Sequence, residues 1–183
     1  MSYYSILPHP TFDSTDFAIW EDGFNQEECN KIIRLSEQQS PSHSKIGGGN
    51  KVGVQNVIRK SLQSWIKLNS ETEWLYNRLG NISRCLNGMH WRYDISGFSE
   101  DLQYTRYNDD DSFYGWHIDG GGSTNSENPP RKLSMTLQLS EPSEYKGGEF
   151  QIHASSLHTL PKKKGLIIVF PSYSLHQVTP VIS

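Results

Sequence analysis

Hydrophobic residues along this chain change their period part-way. Cys29, Ile32, Ile33 and Leu35 recur at the three-to-four-residue spacing of a buried helix stripe, and Trp74, Leu75, Leu79, Ile82 and Leu86 do so again. The first stripe predicts a helix that Asn25 can cap, with Glu27 and Glu28 in its first turn and Ser40-Pro41 ending it. The second predicts a helix over 69–87 packed on a sheet. Residues 17–24 read as a short strand and turn. From residue 90 onward the apolar runs shorten and turn residues separate them. Trp91–Ile95, Leu102–Tyr107, Leu133–Leu139, Phe150–Ile152, Leu166–Phe170 and Gln177–Ile182 are the expected strands. Gly147-Gly148 is expected as a hairpin turn. Helices first and many short strands afterwards predict an α+β fold, an antiparallel double-sheet barrel with the helices outside it. The 183 residues are expected to form one domain, with helical support over about 17–88 and a β core over about 90–183.

Charge narrows the partners. A formal net charge of −3 argues against a nucleic-acid binder, which needs a basic face to neutralise phosphates. The basic run Lys162-Lys163-Lys164 reads as a solvated turn. No apolar stretch reaches the ~20 residues of a membrane span, and the N-terminus lacks the basic and apolar regions of a secretory signal. Cys29 and Cys85 have no metal-type spacing, so free thiols in a reducing cytoplasm are expected. Gly47-Gly48-Gly49 lies in a polar stretch, 42–56, expected to be a loop. No Gly-Lys-Ser/Thr follows to make it a phosphate cradle.

The chemistry sits in Tyr-Gly-Trp-His117-Ile-Asp119 and in His176, which follows Val-Phe-Pro-Ser-Tyr-Ser-Leu. On a strand, residues i and i+2 share a face, so His117 and Asp119 can reach one ion together. Two imidazoles and one carboxylate on one side of a metal leave the opposite side open, the donor set of non-haem Fe(II) sites that activate O₂. A His-x-Asp tripeptide alone is common. Gly120-Gly121-Gly122 just after Asp119 allows tight turns at a site's rim, and Phe170-Pro171-Ser172 places His176 at a strand corner. His9, His43, His90, His153 and His158 have no partner at ligand spacing and read as surface or structural.

At these motifs the sequence resembles the Fe(II)- and 2-oxoglutarate-dependent dioxygenases of the prolyl hydroxylase superfamily, and the PKHD-type hydroxylases in particular. The matching segments are Leu-Gln-Tyr-Thr-Arg-Tyr (102–107), Trp-His-Ile-Asp (116–119), Arg-Lys-Leu-Ser-Met-Thr-Leu-Gln-Leu-Ser (131–140), Tyr-Lys-Gly-Gly-Glu-Phe (145–150) and Phe-Pro-Ser-Tyr-Ser-Leu-His-Gln-Val-Thr-Pro-Val (170–181). Asn-Gln-Glu-Glu-Cys at the first helix and Arg59-Lys60-Ser61 fit as well. The resemblance implies a distorted double-stranded β-helix, or jelly roll, with flanking N-terminal helices. It implies His117, Asp119 and His176 as iron ligands, 2-oxoglutarate and O₂ as cosubstrates, and ascorbate to keep the iron reduced. The reaction implied is C–H hydroxylation coupled to oxidative decarboxylation of 2-oxoglutarate to succinate and CO₂, first of all on a prolyl residue of a protein or peptide.

Tyr107 matches the family's tyrosine that hydrogen-bonds the far carboxylate of 2-oxoglutarate. From the residues alone, a core tyrosine fits equally. Ser134, Thr136 and Gln138 alternate with Leu133, Met135, Leu137 and Leu139, so the polar side lines the cosubstrate pocket, with Gln138 and Thr136 as its expected residues, or faces water. The family's basic residue for the 2-oxoglutarate carboxylate stands about ten positions, one strand-length, beyond the distal His. Here that position lies past Ser183, so either the sequence is cut short, which is the expectation, or the protein anchors 2-oxoglutarate differently, with Arg131 or Lys132 as the substitute. The stretch 42–56 and Asp109-Asp110-Asp111 flank the expected entrance, the latter as a solvated turn. Two other readings stay open: a jelly-roll metalloprotein that does not use 2-oxoglutarate, and a binding module without turnover.

Overall fold

The computed structural model describes residues 15–39, 41–43, 58–108, 111–119 and 130–183. The glycine runs at 47–49 and 120–122, Asp109, Asp110 and most of the 42–56 stretch lie outside them. In chain order the elements are β1 (Ala18–Trp20), α1 (Gln26–Glu37), β2 (Ser42–His43), β3 (Arg59–Lys60), β4 (Leu62–Ile66), α2 (Glu73–His90), β5 (Leu102–Arg106), β6 (Phe113–His117), β7 (Leu133–Leu137), a 3₁₀ turn (Pro142–Glu144), β8 (Phe150–His153), β9 (Leu157–Thr159), β10 (Ile167–Pro171) and β11 (Leu175–Val178). Among the described residues every strand pairing is antiparallel. The sheet orders are β1-β10-β7, β3-β6-β11-β8-β9 and β2-β4-β5. The class is α+β, as expected.

β10 organises the interior. Its residues are buried on both faces, which is why Leu166–Phe170 reads as an unbroken apolar run rather than an alternation. Ile167 and Val169 face the helices, joining Cys29, Ile32, Leu75, Leu79, Ile82 and Leu86 in one core. Ile168 and Phe170 face the other way, into a second core with Ile152, Leu160 and Leu166. β7 obeys the same logic with mixed chemistry. Leu133, Met135, Leu137 and Leu139 pack on the helix-side core, so Ser134, Thr136 and Gln138 are turned towards the space between the sheets.

Local chemistry sets the element ends. The Asn25 side chain accepts from the Glu28 amide (2.9 Å) and the Glu28 carboxylate accepts from the Asn25 amide (3.0 Å), a reciprocal cap for α1. α2 runs to His90, three residues past its expected end. The strand expected at Trp91–Ile95 does not form. Arg92 takes φ +55, and its amide returns to the Asn87 carbonyl at 2.7 Å. The Asn87 side chain then holds Tyr93 through both its amide and its carbonyl. A helix cap occupies the backbone groups that a strand would have needed.

Three further strand expectations shift. β6 was hidden by Gly115 at its centre. β11 spans Leu175–Val178 rather than Gln177–Ile182, because Pro180 offers no amide to continue the ladder; Val181 makes only an isolated bridge to Gly147. Gly147 and Gly148 (φ +73 and +65) turn the chain into β8 against that bridge, rather than closing a hairpin between neighbouring strands. The lysine run is not a free solvated turn either. Lys162 pairs with Glu149, Lys163 with Glu21 and Asp22, and Lys164 bonds Asn30, so each ties the β9–β10 connection to a different segment.

Candidate metal centre

β6 and β11 are neighbours in the five-stranded sheet, and their register sets His176 directly opposite His117. Directly opposed residues share a face with their Cβ atoms about 4.5–5.5 Å apart. The two rings accordingly meet, their centroids 4.1 Å apart. Asp119 lies two residues past the end of β6. Its amide donates to the Ser172 carbonyl at 3.0 Å, which turns the chain end towards the β10–β11 corner. Asp119 Oδ1 is then 3.7 Å from His117 Nε2 and Oδ2 is 3.5 Å from His176 Nε2. One ligand-type atom from each residue lies within 4.8 Å of the others, the only such group among the described residues.

Each imidazole is oriented through its other nitrogen. His117 Nδ1 is 2.8 Å from the Gly115 carbonyl and His176 Nδ1 is 2.9 Å from the Ser174 carbonyl. A carbonyl only accepts, so each Nδ1 carries the proton and each Nε2 keeps its lone pair for a ligand. Burial holds His117 down at about 4, with the Gly115 hydrogen bond acting in the opposite direction. At neutral pH His117 is therefore uncharged and available as a donor. His176 is 4% exposed and packs against Phe170 and Phe150. The carboxylate has its own support. The Ser134 hydroxyl donates to Asp119 Oδ2 at 2.6 Å, and its oxygen is 3.0 Å from Ser172 Oγ.

A bulge in the β6–β11 pairing completes the wall. The register slips between His176 and Val178, so that Tyr114 and not Gly115 faces Val178. The slip puts residues three apart on one face. Tyr114 consequently stacks on His117, with centroids 3.5 Å apart and planes at 13°. Arg59 of β3, paired in register with Tyr114, lies over the same tyrosine ring at 4.4 Å. Trp116, between them in sequence, is turned outward and 40% exposed.

Two imidazole nitrogens and a carboxylate, all pre-oriented, match the donor set of a hard-to-borderline divalent metal such as Fe(II). Comparison with known proteins agrees. Residues 102–183 match the sequence profile of the 2OG-Fe(II) oxygenase superfamily. Over this stretch, which is less than half of the chain, the protein is similar to that superfamily. PKHD-type hydroxylases from Shewanella sp. (strain ANA-3) and Cupriavidus metallidurans are 43% and 42% identical to it, over 82 and 83 residues. Those alignments cover 44% and 43% of this chain, and it spans only 36% of each relative's length. The fold likeness extends further. A Pseudomonas putida prolyl-4-hydroxylase superposes with a TM-score of 0.71 at 16% identity, over 92% of this chain and 87% of that one. A viral collagen prolyl hydroxylase from Paramecium Bursaria Chlorella virus-1 gives 0.68 at 21% identity, over 92% and 90%. The double-stranded β-helix expected from the motifs is thus the observed fold.

The other residues expected to serve a 2OG-Fe(II) oxygenase site spread around a cleft of ≈ 1770 Å³ lined by the triad, Tyr107, Thr136 and Gln138. Burial pushes the Tyr107 hydroxyl up to about 12, so it stays a donor at any physiological pH. Gln138 donates to the Tyr145 hydroxyl (2.9 Å) and the Ser140 carbonyl (3.1 Å). Arg131 sits at the rim. Its guanidinium pairs with Glu100 at 2.8 Å and reaches the Asp119 carbonyl at 3.3 Å. Lys132 is turned to the Asp94 carbonyl. Ser134, Tyr114 and Arg59 were not singled out from the sequence as site residues. The alternation that pairs Ser134 with Thr136 and Gln138 was a legible signal; the bulge that brings in Tyr114 had none.

Proposed function

We propose that this chain is an Fe(II)- and 2-oxoglutarate-dependent hydroxylase whose iron is held by His117, Asp119 and His176. The observation that carries this reading is the convergence of both free Nε2 atoms and the Asp119 carboxylate on one point, with each Nδ1 tied to a backbone carbonyl. When bound, the iron supplies the redox chemistry that couples oxidative decarboxylation of 2-oxoglutarate with O₂ to hydroxylation of a C–H bond. The protein's part is placement and exclusion of water. Gly115 and Ser174 fix the imidazole tautomers, Ser134 fixes the carboxylate, and Phe150 and Phe170 keep the His176 side of the site dry. Tyr107 offers a neutral hydrogen-bond donor to the cosubstrate from the cleft wall, whereas both Gln138 N–H groups are taken by Ser140 and Tyr145.

A peptidyl prolyl residue is the proposed target. The relatives in sequence carry the name PKHD-type hydroxylase, and solved neighbours of the same fold are described as prolyl hydroxylases. No helix among the described residues is long and apolar enough to cross a membrane. The unpaired thiols of Cys29 and Cys85 suit a reducing cytoplasm.

Anaerobic titration with Fe(II) and 2-oxoglutarate tests the centre through the weak visible absorption of the chelate. His117→Ala and His176→Ala are expected to abolish it. His153→Ala, whose ring lies against outward-facing Trp116, is expected to leave it. Loss of the band in His153→Ala alone would refute the ligand assignment. Aerobic succinate formation separates this function from a jelly-roll metalloprotein that does not use 2-oxoglutarate.

A further inference from the structure

A shallow apolar groove opens off the cleft where the α2–β5 connection meets the end of β4. Along β4, Ser64 and Ile66 are buried, so the alternate position turns Trp65 towards the groove. Leu68 and Phe98 stand beside it, 60% and 41% exposed. Phe98 meets Tyr76 edge to face, with ring centroids 5.3 Å apart. The Tyr76 hydroxyl is occupied internally. It donates to the Ile66 carbonyl at 2.6 Å and accepts from the Leu102 amide at 3.1 Å. What the groove offers an occupant is therefore ring faces.

The charge beside these rings has one sign. Glu100 and Asp101 complete the lining, and no lysine or arginine belongs to it. Glu100 is already paired with Arg131 at 2.8 Å. Asp101 has no cationic partner among the described residues. It lies next to Tyr76, whose hydroxyl is raised by burial first and by this carboxylate in addition. A carboxylate without a counter-ion beside exposed aromatic faces suits a cation, which the rings attract and the carboxylate pairs with. A neutral occupant would cover the rings and take water from Asp101 without replacing it. The groove is also joined to the metal centre. Its residues line the cleft as well, and the Arg131 guanidinium that holds Glu100 donates to the Asp119 carbonyl at 3.3 Å. One side chain thus spans the distance from groove to metal ligand. An extended polypeptide advances ~3.3 Å per residue, so a side chain a few positions from the reacting residue reaches the groove.

We propose that Trp65, Phe98 and Asp101 form a docking site for a lysine or arginine side chain of the polypeptide substrate, a few residues from the position that is oxidised. Its use in the reaction rests on the hydroxylase reading above, whereas its preference for a cation does not. None of the three belongs to the His117–Asp119–His176 cluster, so the site selects the substrate and takes no part in the chemistry.

Fluorescence anisotropy with labelled alanine–glycine peptides carrying one central proline tests the site. In one pair of probes, lysine or norleucine stands three positions after the proline; in a second pair it stands three positions before. Norleucine keeps the apolar stem and lacks the charge. Each probe is titrated with metal-free protein and with anaerobic protein loaded with Mn(II) and 2-oxoglutarate. In both states the lysine probe of at least one pair is expected to bind roughly five- to thirtyfold tighter than its norleucine partner. Asp101→Asn removes only the charge, and Phe98→Leu keeps apolar bulk without the ring. Each is expected to cut the preference to about twofold or less, while Mn(II) binding and the urea midpoint stay close to wild type. Two variants on different side chains cover the case in which one does not fold. Asp101→Lys is expected to turn the preference towards a probe with glutamate in place of lysine. Equal binding of lysine and norleucine probes to the wild type marks a merely apolar groove and overturns the proposal. A preference that survives unchanged in either folded variant overturns it too. Failure to bind Mn(II) with the lysine preference intact sinks the hydroxylase reading and leaves the docking site standing. Mn(II) binding without a lysine preference sinks the docking site alone.

Discussion

Removing the Ser134 hydroxyl isolates how the carboxylate is held. Ser134 Oγ donates to Asp119 Oδ2 at 2.6 Å, the short distance of a charge-assisted bond. Hydrogen bonds to charged groups contribute about 1.5–3 kcal/mol. Not all of that reaches metal affinity, because the bond exists before the ion arrives and only its orienting part is lost on binding. Ser134→Ala is therefore expected to weaken Mn(II) binding by about tenfold, within the 10–100-fold usual for groups that support metal ligands. The remainder should appear as lower stability of the metal-free protein, since Asp119 keeps a partly buried charge with one partner fewer. Ser134→Thr restores the hydroxyl on the same strand position and is expected to recover most of both losses. Anaerobic titration calorimetry gives the affinities, and urea denaturation without metal gives the stability. Ser134→Ala binding Mn(II) within about twofold of wild type, at unchanged stability, would show that Asp119 is held by its backbone contact to Ser172 and not by the side chain.

Phe170 is 1% exposed between the sheets and touches the His176 ring, so Phe170→Ala should cost about 3–5 kcal/mol by urea denaturation. A loss under about 1 kcal/mol would mean that the second core collapses around the gap. Gly165 has φ +82, and a Cβ there would lie 1.9 Å from the Phe24 carbonyl oxygen; Gly165→Ala should not accumulate as soluble protein. Gly88→Ala, on the exposed side of α2 with nothing within 4 Å, should instead gain about 0.5–1 kcal/mol, and the contrast in soluble yield checks both. Arg78 at 2.7 Å, with the Asn25 amide, holds Glu28 below its ordinary 4.5. A depressed carboxylate stabilises the fold above 4.5 and loses that contribution as pH falls through the lower folded value. Arg78→Gln should flatten the acid limb of the stability profile, and an unchanged limb would place the pair's worth near zero.

The sequence by itself determined the parts whose cause is local. The helix stripes, the Asn25 cap and the doubly buried run at 166–170 follow from nearest neighbours and period, and they stand where the pattern put them. The pairing of His117 with Asp119 was legible from their spacing, but Asp119 lies past the end of its strand, and its amide's hydrogen bond to Ser172 is what turns it to the site. Tertiary structure decided what depends on partners far along the chain. The opposition of His176 to His117 is a matter of strand register, and register is set by the packing of whole faces rather than by the residues either side of a histidine. The bulge that swings Tyr114 onto His117 inserts one unpaired residue, which no periodic pattern announces. The helix cap at Asn87 took the backbone groups of an expected strand at 91–95. Arg59 is the clearest case: in sequence it is an arginine beside a lysine, and only the fold buries it among neutral partners on the cleft wall.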